Sequence, residues 1–280
     1  MGFAIGSSKD QELAIGGVKV GGFAIGNVKV WAPGPTGPHL YMAGRSNDRL
    51  YTLDVTNGAA TQVSSSDLFR ADVDHSFVFE NVLYMYGSVT SVMSGLSIRT
   101  VKLYSVNTDT GIATLVDGIS DNLGFPRGSS SVDVEIHGIE VVDGVIYAFL
   151  RGTRPEGLYT VDLSTGIATL KLSTFLREPL AFHNGVTYTI DRFQSGNSGR
   201  RGLYTFNLST GARTRVGSHP DGIGRGLVFA DMVSFNGSLY GIDSQYLYTL
   251  DTTTGIAQRI FGSARGFGVN EYQAETLAVI

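Results

Sequence analysis

His75, Gly138, Glu178, Asp231 and Glu275 each open a strand-like apolar segment, aligned on an aromatic or apolar residue near its end, and Asp74 and His137 stand one step earlier. If those segments converge, their openings make a polar ring of mixed sign. Two carboxyls about 5 to 10 Å apart could then cleave a glycosidic bond as acid and base, or acid and nucleophile. Glu178, Asp231 and Glu275 are the candidates, with His75 and His137 lining the same channel. The plainer reading is a water-filled opening that tolerates polar side chains, and nothing in the spacing overrides it. The five histidines, His39, His75, His137, His183 and His219, form neither a His-x-Glu nor a His-Glu-x-x-His pattern. With no cysteine, thiolate metal sites and disulfides are excluded. Asp72, Asp74, Asp133 and Glu135 could offer oxygens to Ca²⁺, but acidic residues at strand starts are ordinarily solvated. No metal or other cofactor is expected, and no Gly-x-Ser-x-Gly elbow or P-loop occurs.

The elements that would position these residues repeat. A motif of the form Leu-Tyr-Thr-x-Asp/Asn-x-x-Thr-Gly-x-Ala-Thr begins at Leu50, Leu103, Leu158, Leu203 and Leu247, a period of roughly 45 to 55 residues. Its first five residues alternate as in a half-buried strand. The Asp or Asn at the fifth position can bond its own backbone two residues on. The glycine at the ninth, Gly58, Gly111, Gly166, Gly211 and Gly255, suits a hairpin residue forced to positive φ. Two further strands precede each motif, as in Asp231 to Phe235, Asn236-Gly237 and Ser238 to Ile242. Four strands at this period predict an all-β, five-bladed β-propeller over residues 39–280. The first unit lacks its first strand, and the last segment, Glu275 to Ile280, has no blade of its own, so the C-terminus is expected to close the ring.

Composition agrees. The chain has 280 residues, 42% hydrophobic and 16% charged, with a net charge of -4, which permits a sizeable core and excludes disorder. Slight acidity and the absence of a Lys/Arg cluster argue against nucleic acid. Without a charged n-region leading an apolar one, or an 18-residue apolar run, neither a Sec signal nor membrane insertion is expected.

Residues 1–31 carry a smaller repeat of ten residues, Phe3-Ala-Ile5, Leu13-Ala-Ile15 and Phe23-Ala-Ile25, followed by Val-Lys-Val segments and Trp31. Such short apolar pieces cannot build a core alone and are expected to grip a partner chain through Phe3, Ile5, Leu13, Ile15, Phe23, Ile25 and Trp31. Residues 32–38, with three prolines, read as a stiff linker.

The five-fold motif resembles a class of bacterial and phage β-propeller repeats, a resemblance covering residues 39–280 that implies the fold and no single activity. The leader, with Ile-Gly-x-x-Lys-Val twice, resembles N-terminal segments of phage tail fibre and tail-tip proteins, where such stretches attach the protein to the tail. Together they imply a virion tail protein, joined to other tail proteins through residues 1–31 and displaying its propeller for host-surface or glycan recognition. Alternatives are a structural tail decoration, a carbohydrate-active enzyme using the channel acids, and a lectin at a bacterial surface or outside the cell. Binding residues concentrate on loops held by a rigid scaffold. The segments that vary between units are 64–71, 87–100, 117–131, 173–177, 191–201 and 217–225, and the candidates are Arg192, Gln194, Asn197, Arg200, Arg201, His219 and Asp221.

Overall fold

The computed structural model describes residues 14–15, 18–19, 24–25, 28–29, 39–44, 49–63, 72–93, 96–125, 134–151, 155–174, 179–190, 202–218, 223–224, 227, 229–243, 246–260 and 274–280. The chain divides into two compact units, Met1–Pro38 and His39–Ile280. In the first, β1 (Ala14–Ile15) pairs with β2 (Val18–Lys19) and β3 (Ala24–Ile25) with β4 (Val28–Lys29), so two of the ten-residue repeats are miniature antiparallel hairpins.

The second unit is a ring of five four-stranded antiparallel blades. Blade 1 contains β5 (Leu40–Gly44), β6 (Leu50–Leu53) and β7 (Ala60–Gln62). Blade 2 is β8 (Asp72–Phe79), β9 (Val82–Met93), β10 (Leu96–Val106) and β11 (Ala113–Leu115). Blade 3 is β12 (Glu135–Val142), β13 (Val145–Arg151), β14 (Gly157–Asp162) and β15 (Ile167–Leu172). Blade 4 is β16 (Leu180–His183), β17 (Val186–Ile190), β18 (Leu203–Phe206) and β19 (Arg213–Arg215). Blade 5 is β20 (Asp231–Phe235), β21 (Ser238–Ile242), β22 (Leu247–Leu250) and β23 (Ala257–Arg259). The last strand, β24 (Ala274–Val279), returns to blade 1 and gives it the order β24-β5-β6-β7. His39 and Ile280 exchange backbone hydrogen bonds of 2.7 and 3.2 Å where other blades have a turn.

The five inner strands pack in the order β24, β8, β12, β16, β20 and back to β24. Each seam between blades holds one apolar cluster, such as Leu40, Met42, Tyr51, Ile242 and Leu277 between blades 5 and 1 and Phe149, Leu158, Leu180 and Phe206 between blades 3 and 4. A fully buried side chain of this size contributes about 1.5 to 3 kcal/mol. Three motif tyrosines, Tyr51, Tyr159 and Tyr248, are buried in seams, where they pack between blades.

The motif turns form as their residues demand. Oδ1 of Asp54, Asn107, Asp162, Asn207 and Asp251 accepts the backbone N–H two residues on, at 2.7 to 3.0 Å. The five glycines take φ of +67 to +73°. Packing adds a second demand at Gly58, Gly166, Gly211 and Gly255, whose hairpin tips abut the chain at or just beyond the end of the preceding blade's outer strand: a Cβ on Gly166 would lie 2.1 Å from Ile119 Cγ2, and one on Gly255 2.5 Å from the Val216 carbonyl oxygen. One expectation is corrected. Segment 87–100 is not a loop, because β9 and β10 stay paired out to Met93 and Leu96, beyond the start of β8 opposite Ser88.

Gly166→Val should therefore cost about 2 to 5 kcal/mol, combining backbone strain with overpacking. Gly144 also has positive φ, but a Cβ there meets nothing within 4 Å, so Gly144→Ala carries strain alone. Thermal melts of the two variants should separate by several degrees, and equal melting temperatures would contradict the packing.

Candidate functional site

In antiparallel four-stranded blades the loops between second and third strands, and the returns from each fourth strand to the next blade, leave from one side of the ring. The turns between first and second strands lie on the other. Segments 64–71, 117–131, 173–177, 191–201 and 217–225 all connect strand ends on the first side, here called the loop face. The turn face carries two-residue turns with both residues at positive φ, Glu80-Asn81, Asp143-Gly144, Asn184-Gly185 and Asn236-Gly237, the hairpin type whose twist matches its strands. His39, where the chain enters the propeller, stands in the equivalent place in blade 1.

The polar ring expected at the strand openings is shifted. His183 pairs with Val186 and Ile280 bonds with His39, so the residues level with His75, Gly138 and Asp231 are Pro179 and Thr276, not Glu178 and Glu275. A one-residue slip moves a side chain to the opposite face of its sheet. The slip arose because a buried histidine fills the apolar position before the blade 4 turn, and because the chain ends substitute for a turn in blade 1. Bulges compound it: Asp74, His137 and Glu275 are the extra residues in irregular steps between Val73 and His75, Ile136 and Gly138, and Ala274 and Thr276. Glu178 lies outside the described residues, as do Arg192, Gln194, Asn197, Arg200, Arg201, His219 and Asp221, and Phe3, Ile5, Leu13, Phe23 and Trp31. Ile15 and Ile25 stand in β1 and β3.

Asp231 does not line an open channel. It is 3% exposed, and its Oδ2 accepts Thr276 Oγ1 at 2.8 Å and the Leu277 N–H at 2.9 Å, while Oδ1 accepts the Met232 N–H at 2.8 Å. Thr276 Oγ1 lies 2.6 Å from Ser76 Oγ and accepts the Ser76 N–H at 2.7 Å, so one network ties blades 5, 1 and 2. Glu140 does the same between blades 3 and 4, its Oε2 accepting the Phe182 N–H at 3.0 Å and its Oε1 the Val141 N–H at 2.8 Å. His183 Nδ1 lies 2.8 Å from Ser234 Oγ, joining blades 4 and 5. The sequence reading missed Glu140, Ser76 and Thr276. The available signal was a lone Glu within the apolar run from Ile139 to Val142.

Burial governs the electrostatics. Desolvation pushes the Glu140 carboxyl up to about 8, against hydrogen bonds that favour its ionised form, with the Asp231 charge raising it further. Desolvation likewise raises Asp231 to about 7, opposed by its three hydrogen bonds. Burial lowers the His183 imidazole. His75 is buried in β8 opposite Tyr86. Nearer the loop face, at the start of β12, Glu135 Oε2 meets Arg151 Nη1 at 3.1 Å and His137 Nε2 at 3.2 Å, and Arg151 reaches Glu156 at 3.9 Å. This partly exposed cluster pairs with itself. Among the described residues no three His, Asp or Glu side chains form a metal-holding group, and no helix is long and apolar enough to cross a membrane.

No family model matches the chain and no curated protein matches it. Among solved structures, the alpha-L-arabinanase of Penicillium chrysogenum complexed with arabinobiose matches at 13% identity and TM-score 0.42, over 86% of this chain and 77% of that one. The GH93 alpha-L-arabinofuranosidase of Fusarium graminearum, with arabinobiose, matches at 9% identity and TM-score 0.43, over 81% and 74%. These likenesses concern the fold, and neither activity is carried over.

Asp231→Ala would leave the Met232 and Leu277 N–H groups and the Thr276 hydroxyl without their acceptor in a dry interior, a loss of about 2 to 4 kcal/mol. Chemical denaturation should show it, whereas Glu135→Ala at the partly exposed cluster should cost under about 1 kcal/mol. Equal effects would return Asp231 to the role of a solvated channel residue.

Proposed function

We propose that the chain is a phage virion tail protein, attached to other tail proteins through residues 1–31 and presenting a β-propeller whose loop face recognises a bacterial surface, its glycans foremost. The observation that carries this reading is the division of the propeller's two faces. The chain enters at His39, among short turns of one geometry, while every segment that differs in length and composition between blades leaves from the opposite side. A scaffold with constant turns on one face and variable segments on the other suits recognition, because loops can change while the ring stays constant. Segment 191–201, with Arg192, Gln194, Asn197, Arg200 and Arg201, and segment 217–225, with His219 and Asp221, have the polar make-up that hydrogen-bonds sugar hydroxyls. Localisation follows as the phage tail.

The test is adhesion of the fluorescently labelled full chain to a panel of bacterial strains, with surface polysaccharide as competitor. Saturable, competed binding that falls at least about tenfold when Arg192, Gln194, Arg200 and Arg201 are replaced together by Ala, with melting temperature unchanged, is the expected outcome. A folded protein that binds no strain would favour a structural tail role. Release of sugar fragments from the polysaccharide would favour the carbohydrate-active alternative.

A further inference from the structure

On the reading that the propeller recognises a bacterial surface, we propose that the outer rim of blades 3, 4 and 5 is a binding track for an anionic polysaccharide, a chain whose sugars bear carboxylate or phosphate groups. Charge is distributed unevenly over the ring. Residues 179–218, which include blade 4, hold five arginines, Arg192, Arg200, Arg201, Arg213 and Arg215, against one acid, Asp191, a net of +4 in a chain whose net charge is -4. The outer strands β15, β19 and β23 bear Lys171, Arg213, Arg215 and Arg259 and no acid, whereas β7 and β11 of blades 1 and 2 bear no charged residue.

The cations form one series because each of these outer strands leads onto the hairpin tip of the next blade. A Cβ on Gly211, at the tip of blade 4, would lie 3.0 Å from Thr174 Oγ1, just past β15, and one on Gly217, just past β19, would lie 2.0 Å from the Thr254 carbonyl oxygen at the tip of blade 5. Lys171, then Arg213 and Arg215, then Arg259 therefore follow one another along the rim, and all four are exposed. Each blade sets a cation on a tyrosine. Lys171 Nζ stands 5.1 Å from the centre of the Tyr147 ring and 3.4 Å from its hydroxyl, Arg213 Cζ 5.5 Å from the Tyr204 ring, and Arg259 Cζ 4.5 Å from the Tyr246 ring. Arg215 is paired across the sheet with the same Tyr204. A cation laid on an aromatic face has lost part of its freedom before a ligand arrives. The acids of the adjoining turns are engaged locally: Asp162 and Asp251 accept the Ser164 and Thr253 N–H groups at 2.9 and 2.7 Å, and Asp243 accepts the Tyr246 N–H and the Tyr248 hydroxyl at 2.6 and 2.8 Å.

The chemistry of the cations names the ligand class. A guanidinium presents a planar fork of donors that matches a carboxylate or a phosphate. A cation–tyrosine unit repeated from blade to blade suits a ligand whose own anionic group repeats, as in a polysaccharide of acidic sugars. Each ring already carries a cation on one face, which disfavours the free stacking platforms that a single-stranded nucleic acid uses. The track also meets the loop face at Gly202, where a Cβ would lie 2.9 Å from Tyr204 Cε2 and 3.3 Å from Arg215 Nε. Arg200 and Arg201 directly precede Gly202 in the chain.

The experiment is equilibrium binding of the full chain to polygalacturonate, which bears a carboxylate on each sugar, to a phosphomannan, to neutral dextran and to single-stranded DNA. At least one acidic glycan should bind in preference to dextran and DNA, more weakly as salt rises, and the one preferred identifies the anionic group. Replacing Arg213, Arg215 and Arg259 together by Ala should weaken that binding about tenfold or more, with the melting temperature unchanged. Arg49→Ala, Lys102→Ala and Arg151→Ala combined remove as much charge elsewhere on the ring, from residues that meet Gln62, Asp121 and Glu135, and should change it less than about twofold. No preference over dextran, DNA held as tightly as the glycan, or equal losses in the two triple variants would overturn the proposal. Adhesion to bacterial cells, measured alongside, keeps the two readings apart. Adhesion undiminished in the Arg213, Arg215 and Arg259 variant would overturn the track and leave surface recognition standing, whereas glycan binding without adhesion to any strain would support the track and count against recognition.

Discussion

A ring of sheets holds together only if no inner edge is left open, and here one pairing meets that constraint: β24 against β5. The strand arrives from the far end of the chain and completes blade 1. It also supplies Thr276 and Leu277 to Asp231 and receives Ser76 from blade 2. The middle of the propeller is thereby committed to closure. Asp231, Ser76 and Thr276 are buried there and turned toward neighbouring strands.

The same economy governs the outer strands. In the repeated hairpin an Asx-type turn, a glycine at positive φ and the close approach of the preceding blade are all met at once by Asp/Asn-x-x-Thr-Gly. Because these turns join one blade to the next, they have little freedom to vary. In the segments that open on the loop face the five units diverge in length and in side chains.

Much of this architecture could be read from residues alone. The repeated motif announced the five blades, and the missing first strand together with the orphan tail announced the closure. The inner ring was harder. His183 occupies a position that other blades give to Phe79, Val142 or Phe235, so an apolar landmark misplaced blade 4 by one residue. Glu140 stands alone in an apolar run, and only the neighbouring blade shows that its carboxyl meets the Phe182 N–H. Contacts between blades join residues far apart in the chain, as Ser76 and Thr276 are, and no local pattern records them. The β9–β10 extension escaped notice because serine and threonine interrupt its apolar residues.

The central claim, that the loop face recognises and the turn face does not, is open to one direct measurement. The chain has no native cysteine, so single thiols can be placed in blade 3 at Glu156, beside the loop that leads into β14, or at Val145, at the opposite end of β13. Coupling streptavidin to each through a biotin linker and measuring adhesion to a strain the parent protein binds compares the two sides with equal bulk. The account predicts that the load at position 156 abolishes adhesion and the load at 145 leaves it intact. Adhesion lost with the load at 145 and kept with the load at 156 would contradict it.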